Sequence, residues 1–402
     1  MSAAAGDPPA VDATPLLAGT TACHTEDDLR ARLAGGRSLR VKLGVDPSSP
    51  DLHLGHAVQL RYLRRLQRLG HRPVLIIGDA TARVGDPTGR NATRPQLTPE
   101  QVQANAETYL EQAGLILDLD GCDVVRNSEW FDRMSFMDAV SLGAFTTVAR
   151  MLERDTFEER HKAGVPIGMH EFLYPLMQAR DSVEVRADIE IGGTDQTFNL
   201  LFGRDLMRDA GMAPQVCITL PILPGLDGVQ KMSKSLGNAV GLTDAPRDMF
   251  GKLMSIPDGC MAEYFALCTD LEPAAQAAAL AASPREAKAE LARTITALYH
   301  GEAAGSAAVE EFDRIFRDKG LPDEIPESRL PADLVEADGA WIVRVLTHLG
   351  LAPSGSAARR LIGEGGVRVD GERLSDDQAR LAPGSTVLLQ VGKRRFHRVR
   401  VS

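Results

Sequence analysis

The segment of residues 39–78 constrains the fold more than any other part of the sequence. Two apolar runs, at residues 39–45 and 73–78, have the length and composition of buried strands. A helical pattern joins them, with apolar residues on one face and arginines on the other: Val58, Tyr62, Leu66 and Leu69, then Arg61, Arg64, Arg65 and Arg68. This order predicts a β–α–β unit and therefore a parallel sheet, in which ligands bind at the carboxyl ends of the strands.

Later in the chain the local patterns change. Beyond residue 238 helical signals replace strand signals, and Ser283 with Glu286 has the form of a capping box for a helix that should end at Gly301. Residues 320–331 hold prolines among acidic residues, a composition typical of a linker. After this stretch we expect helices at residues 341–349 and 357–364 and short strands at 367–369 and 386–391.

These changes predict five parts of the chain. The first residues are rich in Ala, Pro, Gly and Thr and have no periodicity, as in a mobile tail. The predicted parts are an N-terminal tail at 1–23, a parallel-sheet domain at 24–238, a helical domain at 239–320, a linker at 321–336 and a small α+β domain at 337–402.

Charge and cysteine content exclude several classes of protein. The net charge of −10 argues against a protein that coats nucleic acid without specificity, but the segment from Trp341 onward has eleven basic and five acidic residues, a local charge of +6. The five cysteines stand singly, without the spacing of a zinc site or a disulfide framework. No apolar run is long enough to cross a bilayer. We therefore expect a cytoplasmic protein with no membrane association and no bound metal ion.

A His-Leu-Gly-His sequence at residues 53–56 opens the predicted helix directly after the first strand. Helix N-termini favour anions, so His53 and His56 are placed to donate hydrogen bonds to phosphate oxygens. Gly55 has no side chain, which leaves its backbone open to a flat ring such as adenine. Histidines that cap a helix, lie on the surface or form half of a metal site would give the same sequence.

A Lys-Met-Ser-Lys-Ser sequence at residues 231–235 lies between glycines 228 and 237. Such a loop can bring the ammonium groups of Lys231 and Lys234 over a pyrophosphate leaving group, although Lys/Ser loops are more often solvated surface. The order of the two motifs in a parallel α/β context favours nucleotide chemistry. Neither a Walker A sequence nor a Gly-x-Gly-x-x-Gly run is present.

With these motifs the chain resembles the tyrosyl-tRNA synthetases, class I enzymes of bacterial type, over nearly its whole length after the first twenty residues. The motifs at 53–56 and 231–235 match the family's HIGH and KMSKS elements, and the stretches at 85–89, 174–181 and 192–196 resemble its tyrosyl pattern. The resemblance implies an α/β fold with a Rossmann-like parallel-sheet catalytic domain, then a helical anticodon-side domain and a small α+β RNA-binding domain of ribosomal-protein type. It also implies a homodimer.

The resemblance assigns substrates and residues. ATP, accompanied by Mg²⁺, and L-tyrosine form tyrosyl-adenylate, whose tyrosine is then transferred to the 3′ end of tRNA, and no tightly bound cofactor is expected. The implied catalytic residues are His53, His56, Lys231, Lys234, Arg90 and Arg94. The implied ATP-binding residues are His53, Gly55, His56, Gly192, Asp195, Lys231, Ser233 and Lys234. The implied tyrosine-binding residues are Lys42, Gly44, Asp46, Asp86, Tyr174, Gln178, Asp181 and Gln196.

The residues in the tyrosyl stretches suit this assignment. Tyr174, Gln178 and Asp181 share one face of a helix, where a polar stripe beside apolar residues indicates a pocket. Asp86 stands in a turn that equally well has a purely structural meaning. The resemblance implies that Asp181 binds the phenol hydroxyl, Asp195 the ATP ribose and Gln196 the carboxyl end of tyrosine. Lys42 is a departure, because many relatives have tyrosine there, and its ammonium group either pairs with Asp181 or points away.

The basic C-terminal segment resembles the RNA-binding domain of bacterial tyrosyl enzymes. The residues expected to contact tRNA are Arg359, Arg360, Arg368, Lys393, Arg394 and Arg395. Three rival functions stay open: a tryptophanyl enzyme, a small-substrate nucleotidyltransferase, and an RNA-binding protein with an inactive synthetase-like domain. The first lacks the Tyr174/Gln178/Asp181 helix, the second has no use for a basic tail, and the third is expected to lose motif lysines or Asp195.

Overall fold

A computed structural model describes residues 12–88, 97–316, 325–392 and 395–401. The chain divides into two compact units with the boundary between Ser306 and Ala307. Among the described residues, no helix has both the length and the apolar character needed to span a membrane.

The first unit is built on a six-stranded sheet with the strand order β1-β6-β5-β2-β3-β4. Strands β2 to β6 run parallel, and the short β1 lies antiparallel to β6 at one edge. The strands are β1 Ala22–His24, β2 Arg40–Val45, β3 Arg72–Ile77, β4 Asp123–Arg126, β5 Ile189–Gly193 and β6 Val216–Leu220. The predicted parallel sheet is confirmed, and its order changes direction between β2 and β5, where open α/β sheets bind ligands.

Helices cover this sheet and fill the rest of the unit. Those within the sheet region are α1 Thr14–Leu17, α2 Glu26–Ala34, α3 Leu54–Arg68, α4 Thr81–Val84, α5 Pro99–Ala113, α6 Ser128–Phe131, α7 Phe136–Gly143, α8 Val148–Met151, α9 Asp155–Lys162, α10 Leu173–Glu184 and α11 Thr197–Asp209. Those that follow are α12 Pro246–Leu253, α13 Met261–Cys268, α14 Pro273–Leu280, α15 Pro284–His300 and α16 Glu302–Phe316, which runs across the boundary between the units. Short 3₁₀ turns occur at Met169–Phe172, Thr194–Gln196, Lys234–Leu236 and Asp258–Cys260.

The predicted β–α–β unit is formed by β2, α3 and β3. Residues 41–43 of β2 and 73–77 of β3 are buried because helices lie on both faces of the sheet, which explains the mainly apolar runs. Helix α3 buries Val58, Leu63 and Leu66 against the sheet. Its entrance therefore lies at the carboxyl end of β2, where the sheet order reverses.

Residues 12–23 correct the prediction of a mobile tail for 1–23. Leu16 in α1 is buried, and its carbonyl oxygen accepts a hydrogen bond from the hydroxyl of Tyr62 on α3. Strand β1 pairs with β6 and covers what would otherwise be an open edge. Each element in this stretch is only three or four residues long, so its sequence has no periodicity from which these contacts could be predicted.

The main elements of residues 246–316 are the helices α12 to α16, as expected for the helical region predicted at 239–320. In α15 the amide of Glu286 donates to Ser283 Oγ at 3.4 Å, and the amide of Ser283 donates to Glu286 Oε2 at 3.2 Å. The helix ends at Gly301, whose φ of 89° is unfavourable for other residues. The predicted cap and end of this helix are therefore confirmed.

The second unit contains a five-stranded sheet in the order β10-β9-β12-β13-β7 and a separate two-stranded ladder, β11-β8. Its elements are β7 Glu327–Arg329, β8 Ala340–Trp341, α17 Ile342–His348, α18 Gly355–Gly363, β9 Val367–Val369, β10 Glu372–Arg373, β11 Arg380–Leu381, β12 Thr386–Val391 and β13 Arg395–Arg400. The two helices and two strands predicted here are confirmed within one or two residues. Their apolar faces form a single core that includes Ile342, Ile362 and Leu389.

Part of the linker predicted at 321–336 belongs to this second unit. Strand β7 pairs parallel with β13, and Leu330 is buried in the same core as α17 and α18. A 3₁₀ turn at Ala332–Leu334 follows. Prolines suggested a linker, but here they stand beside a short edge strand, where a missing N–H group is tolerated.

Candidate active site

A pocket of about 470 Å³ lies at the carboxyl ends of β2, β3 and β5. It brings together twelve of the residues that the sequence singled out: Gly44, Asp46, His56, Asp86, Tyr174, Gln178, Asp181, Gly192, Asp195, Gln196, Lys231 and Ser233. We call the part around the buried Asp181 the inner end, and the part around Lys231 and Lys234, whose side chains are exposed, the outer end.

At the inner end, Asp181 on α10 is held by two neutral donors. Trp130 Nε1 donates to Asp181 Oδ1 at 3.0 Å, and Asn127 Nδ2 lies 3.4 Å from Asp181 Oδ2. Burial raises the pKa of Asp181 to about 7, against the lowering influence of the nearby Lys42 ammonium group and of these two hydrogen bonds. A carboxylate in this position is a hydrogen-bond acceptor for a hydroxyl group that enters the pocket.

Lys42 is not part of the pocket lining, although the sequence placed it among the tyrosine-binding residues. Its side chain is fully buried, and Nζ donates to Glu190 Oε1 at 2.8 Å and to Ser182 Oγ at 2.7 Å. A buried ammonium group needs a carboxylate partner, and Glu190 is its direct neighbour on β5. Of the two orientations left open by the sequence, Lys42 therefore points away from Asp181.

A second carboxylate, Asp46, lies just beyond the end of β2. Its Oδ2 accepts from the hydroxyl of Tyr174 at 2.9 Å, and its Oδ1 accepts from Thr81 Oγ1 at 2.7 Å. A Cβ atom on Gly78 would lie 2.1 Å from Asp46 Oδ1, so any other residue there would displace this carboxylate. Burial, together with Asp46 and Asp86, raises the pKa of Tyr174 well above its usual value, so that it remains a neutral phenol.

Asp86 forms the third carboxylate of the pocket wall. Its Oδ1 accepts from the amide and hydroxyl of Thr88, at 2.8 and 2.6 Å, and from Arg154 Nη2 at 3.1 Å. Its Oδ2 accepts from Gln196 Nε2 at 2.7 Å. The turn-forming role that Asp-Pro-Thr-Gly has elsewhere is present here as well, but the carboxylate also faces the pocket.

At the outer end, backbone hydrogen bonds hold the HIGH segment beside the residues that follow KMSKS. The amide of Leu54 donates to the carbonyl of Val240, and the amide of Leu242 donates to that of Leu52, each at 3.0 Å. The two motifs are separated by almost 180 residues in the chain, so this contact exists only in the fold.

The two motif histidines are neutral at pH 7. Burial, the neighbouring His56 and the motif lysines lower the pKa of His53 to about 2, and burial with Lys234 lowers that of His56 to about 4. They can therefore donate an N–H group to an anion but bring no charge. His56 lines the pocket, whereas the Nδ1 atom of His53 is buried with no hydrogen-bond partner among the described residues.

Gly55 lies behind the histidines and outside the pocket lining. A Cβ atom at this position would stand 3.0 Å from the His53 ring and 3.6 Å from Met232 Cβ. The glycine thus allows the helix entrance, the His53 ring and the second motif to approach one another. This close packing is a structural reason for glycine, in addition to the expected platform for a flat ring.

The KMSKS loop is anchored by Asn238. Its Oδ1 accepts from the amide of Ser233 at 2.8 Å, and its Nδ2 donates to Asp227 Oδ2 at 2.7 Å. Lys231 Nζ is 3.1 Å from Asp195 Oδ2, and Lys234 Nζ contacts Asp51 Oδ2. The two ammonium groups are thus held by carboxylates at the mouth of the pocket.

Several expected residues lie elsewhere. Arg90, Arg94, Lys393 and Arg394 are outside the described residues. In the second unit, Arg359 and Arg360 are exposed on α18, Arg368 is exposed on β9, and Arg395 is exposed at the start of β13. Among the described residues, no group of three or more His, Cys, Asp or Glu side chains is arranged to hold a metal ion.

Sequence reasoning missed four residues that shape the pocket: Asn127, Trp130, Glu190 and Arg154. Glu190 had a usable signal, because it is the single acidic residue in a strand that is otherwise apolar and buried. Such a residue needs a buried partner, and Lys42 had the complementary charge in another buried strand. Asn127 and Trp130 had no comparable signal, since each follows β4 in a sequence without a motif.

Comparison with known proteins places this pocket in a family. A family model described as tRNA synthetases class I (W and Y) matches residues 34–317, and a model of the S4 domain matches residues 341–387. These two matches correspond to the sheet-and-helix region and to the second unit.

Curated relatives match over almost the full length. A tyrosine–tRNA ligase of Moorella thermoacetica is 50% identical over 394 residues, 96% of this chain and 94% of the relative. One from Thermotoga maritima is 49% identical over 93% of this chain and 94% of the relative.

Solved structures share the fold at lower identity. A C-terminally truncated mitochondrial tyrosyl-tRNA synthetase of Aspergillus nidulans superposes with a TM-score of 0.63 at 23% identity, covering 74% of this chain and 92% of that one. A tyrosyl-tRNA synthetase from Archaeoglobus fulgidus gives 0.61 at 22% identity, covering 74% and 98%.

Proposed function

The chain belongs to the class I tRNA synthetases for tryptophan and tyrosine and ligates tyrosine to tRNA, and from this premise we propose that the pocket described above performs the activation step. In that step a carboxylate oxygen of tyrosine attacks the α-phosphorus of ATP. A mixed anhydride, tyrosyl-adenylate, forms as the bond to pyrophosphate breaks.

The observation that carries this assignment is the acceptor at the inner end. Asp181 is buried, and its two hydrogen-bond donors, Asn127 and Trp130, leave it able to accept one more hydrogen from a ligand. A phenol hydroxyl satisfies it. Phenylalanine leaves it desolvated and without that partner, and tyrosine activation is itself an established example of this kind of discrimination.

The polar groups farther along the pocket suit the rest of the amino acid. Asp86, Tyr174 and Gln178 line the wall beyond Asp181, and the carboxylate of Asp86 with the side-chain carbonyl of Gln178 offers acceptors for the substrate ammonium group. Gln196 lies 2.7 Å from Asp86 and is assigned to the carboxyl end of the substrate. Gly44 and Asp46 form the floor of this part of the pocket.

The outer end is assigned to ATP. Asp195 accepts from the ribose hydroxyls and Gly192 lies beneath them, while Lys231, Ser233 and Lys234 contact the phosphates. In the free protein Lys231 is paired with Asp195 and Lys234 with Asp51, so nucleotide binding exchanges carboxylate partners for phosphate partners. These exposed ion pairs are weak, so the exchange of partners costs little free energy.

Catalysis then rests on positioning and on charge stabilisation, because attack by a carboxylate needs no strong base. The lysines meet the negative charge that builds on the leaving pyrophosphate. His53 and His56 act as neutral N–H donors to phosphate oxygens. Arg90 and Arg94 are assigned the same task, and Mg²⁺ enters with ATP as part of the substrate.

The second unit is assigned to tRNA. Arg359, Arg360, Arg368 and Arg395 are exposed in a unit that matches the S4 domain, and Lys393 and Arg394 stand between the last two strands in the sequence. Replacing Arg360 and Arg368 together by alanine raises the KM for tRNA and lessens its salt dependence, while adenylate formation is unchanged. Arg30→Ala, on the exposed face of α2, is the matched control.

A homodimer is part of the proposal. Large apolar side chains are exposed on three neighbouring elements: Phe136 and Met137 on α7, Val148 on α8 and Met169 in the turn before α10. These elements share one apolar cluster, which includes Met151 and Leu176, and exposed apolar surface of this kind is typical of protein interfaces. Sedimentation of the parent and of Phe136→Asp tests it.

We place the reaction in the cytoplasm, where translation uses its product.

Exchange of labelled pyrophosphate into ATP tests the activation step directly. Exchange that depends on tyrosine, and not on tryptophan or phenylalanine, supports the proposal. Exchange that depends on tryptophan favours the rival tryptophanyl activity. No exchange with any amino acid, combined with intact tRNA binding, favours an RNA-binding protein without activity.

A further inference from the structure

Lys42 is a charged residue that the reaction described above does not use. It sits in the middle of β2 with a side chain only 1% exposed, and the partner Glu190 is 2% exposed. The ammonium group makes three hydrogen bonds, to Glu190, to Ser182 Oγ and to the carbonyl of Gln178 at 2.9 Å. Two of these contacts are to α10, the helix that carries the substrate-facing side chains.

Glu190 extends the network beneath the same helix. Its Oε2 accepts from Ser182 Oγ at 2.7 Å and from Gln215 Nε2 at 2.8 Å, and its Oε1 lies 3.3 Å from Gln178 Nε2. Gly203 on α11 makes room for these groups, since a Cβ atom there would stand 2.7 Å from Gln215 Nε2. The charged pair is therefore fully satisfied and tightly enclosed.

The network reaches the substrate-binding wall through two amides. Asn199 Nδ2 donates to Gln178 Oε1 at 3.0 Å and to Gln196 Oε1 at 2.9 Å. Gln196 Nε2 in turn donates to Asp86 Oδ2. A continuous line of hydrogen bonds thus connects the buried pair with the residues that face the amino-acid end of the substrate.

Electrostatics link the pair to Asp181 as well. Although its ammonium group points to Glu190, the positive charge of Lys42 lowers the pKa of Asp181, whereas the negative charge of Asp46 raises it. From α10 itself Tyr174 faces the carboxylate as a neutral phenol, and Asn127 and Trp130 face it as neutral donors. Among the described groups with the largest influence on the pKa of this carboxylate, Lys42 is the cation.

We propose that Lys42, paired with Glu190, is a positioning residue for tyrosine selection: its contacts with Ser182, the neighbour of Asp181, and with Gln178, one turn earlier, hold α10 and place an ammonium group behind the acceptor. Lys42 touches no substrate in this role. The inference rests on the proposed function of the pocket, because it assumes that Asp181 accepts the phenol hydroxyl.

The test is the pH dependence of kcat/KM for tyrosine in pyrophosphate exchange, which reports the ionisation of the free enzyme. The variant Lys42→Met removes the ammonium group and keeps a side chain of similar shape. Without the ammonium group the midpoint of the profile moves upward by about one pH unit or more, as expected for losing a nearby opposite charge. At pH 7 kcat/KM for tyrosine then falls by about fivefold or more, while that for phenylalanine changes by less than about twofold.

Glu190→Gln alone is the matched control for damage to the network. It keeps the ammonium group and removes the carboxylate that neutralises it, so the midpoint moves downward. If Glu190→Gln raises the midpoint as Lys42→Met does, loss of packing explains both and the proposal is wrong. Glu190→Gln also provides the decisive result if Lys42→Met fails to fold, because the direction of its shift is opposite.

An unchanged midpoint in the folded Lys42→Met variant, or equal losses toward tyrosine and phenylalanine, overturns the proposal. Thermal melts at each pH identify variants that are not folded. Failure of the proposed function looks different, because the parent itself then shows no tyrosine-dependent exchange.

Discussion

Each end of the pocket lies beside an ion pair between a lysine and a carboxylate, but the two pairs have different roles. Behind the inner end, outside the pocket lining, Lys42 and Glu190 form an ion pair whose side chains are 1% and 2% exposed. At the outer end Lys231 and Asp195 form one whose side chains are 44% and 28% exposed. The difference shows that burial, and not the identity of the charged groups, decides whether a pair is part of the framework or available to a substrate.

The physical reason is the cost of an unpaired charge. In water an ion pair can exchange partners at little cost, and a pair like Lys231–Asp195 adds on the order of 1 kcal/mol or less to stability. Inside the protein the same exchange leaves an uncompensated charge, which is costly. The inner end is thereby suited to a fixed template for one side chain, and the outer end to phosphates that arrive and leave.

The largest expected effect is a difference in stability between variants at the two ends of the pocket. Glu190→Ala leaves the Lys42 ammonium group buried without a carboxylate and should lower the free energy of unfolding by about 3–5 kcal/mol. Asp51→Ala removes the partner of Lys234 at the outer end and should lower it by no more than about 1 kcal/mol. Chemical denaturation of both variants at one pH measures the difference. Equal losses would mean that the two ends do not differ in this way.

The next effect concerns selectivity at the inner end. Asp181→Ala removes the acceptor whose desolvation penalises phenylalanine, so the preference for tyrosine should shrink by more than about 3 kcal/mol, or over 100-fold. The measurement is the ratio of kcat/KM for tyrosine and phenylalanine in exchange, with a thermal melt to show that the variant is folded. A folded variant with the parent's preference would show that selection resides elsewhere.

At the outer end the effect should appear in turnover. Lys234→Ala removes one charge that stabilises the leaving pyrophosphate and should raise the barrier to adenylate formation by roughly 3 kcal/mol, mainly through kcat. Lys162→Ala, which breaks an exposed pair with Glu158 on α9, is the matched control and should leave kcat unchanged. If the two variants behave alike, the KMSKS loop does not act on the leaving group.

The smallest effect is a pH dependence that distinguishes the ends. Between pH 8 and pH 6 the histidines of the outer end stay neutral, since their pKa values are about 2 and 4, whereas Asp181 has a pKa of about 7. The ionised fraction of Asp181 falls about tenfold over this range, and kcat/KM for tyrosine should fall with it. Phenylalanine should show little change. A profile flat for both amino acids would contradict an ionised Asp181 as the acceptor.

Unfolding does not explain such a loss at pH 6. The pKa of Asp181 in the folded protein lies above the value of about 3.9 in an unfolded chain, so protonation of this group favours the folded state. Its contribution to stability is complete below about pH 4 and is lost as the pH rises through about 7. Thermal melts at pH 6 and pH 8 separate this contribution from activity.

Much of the outer end could be predicted from the sequence. The HIGH and KMSKS motifs are short, contiguous runs whose chemistry is carried by adjacent residues, and the β–α–β pattern already places the first of them at the carboxyl end of a strand. The cap at Ser283 and the helices and strands after residue 341 are equally local and were predicted close to their observed bounds. Residues 12–23 were not, because their order comes from contacts of Leu16 and β1 with distant elements.

The arrangement at the inner end could not be predicted from the sequence, because it depends on contacts between residues that are distant in the chain. Lys42 was noticed as a departure, but its partner Glu190 is 148 residues away in the chain and reaches it only through the pairing of β2 with β5. Asn127 and Trp130 approach Asp181 from another strand end. A sequence lists the groups that can form hydrogen bonds, whereas their pairing follows from strand order.

By itself, the sequence determined the class of fold, the two phosphate-handling motifs and the helix face that carries Tyr174, Gln178 and Asp181, because periodicity and contiguous motifs are local properties. Only the tertiary structure decided which carboxylates hold the motif lysines, that Lys42 turns from Asp181 to Glu190, and how far burial raises the pKa of Asp181. Those outcomes depend on desolvation and on distances between strands, and both exist only once the chain has folded.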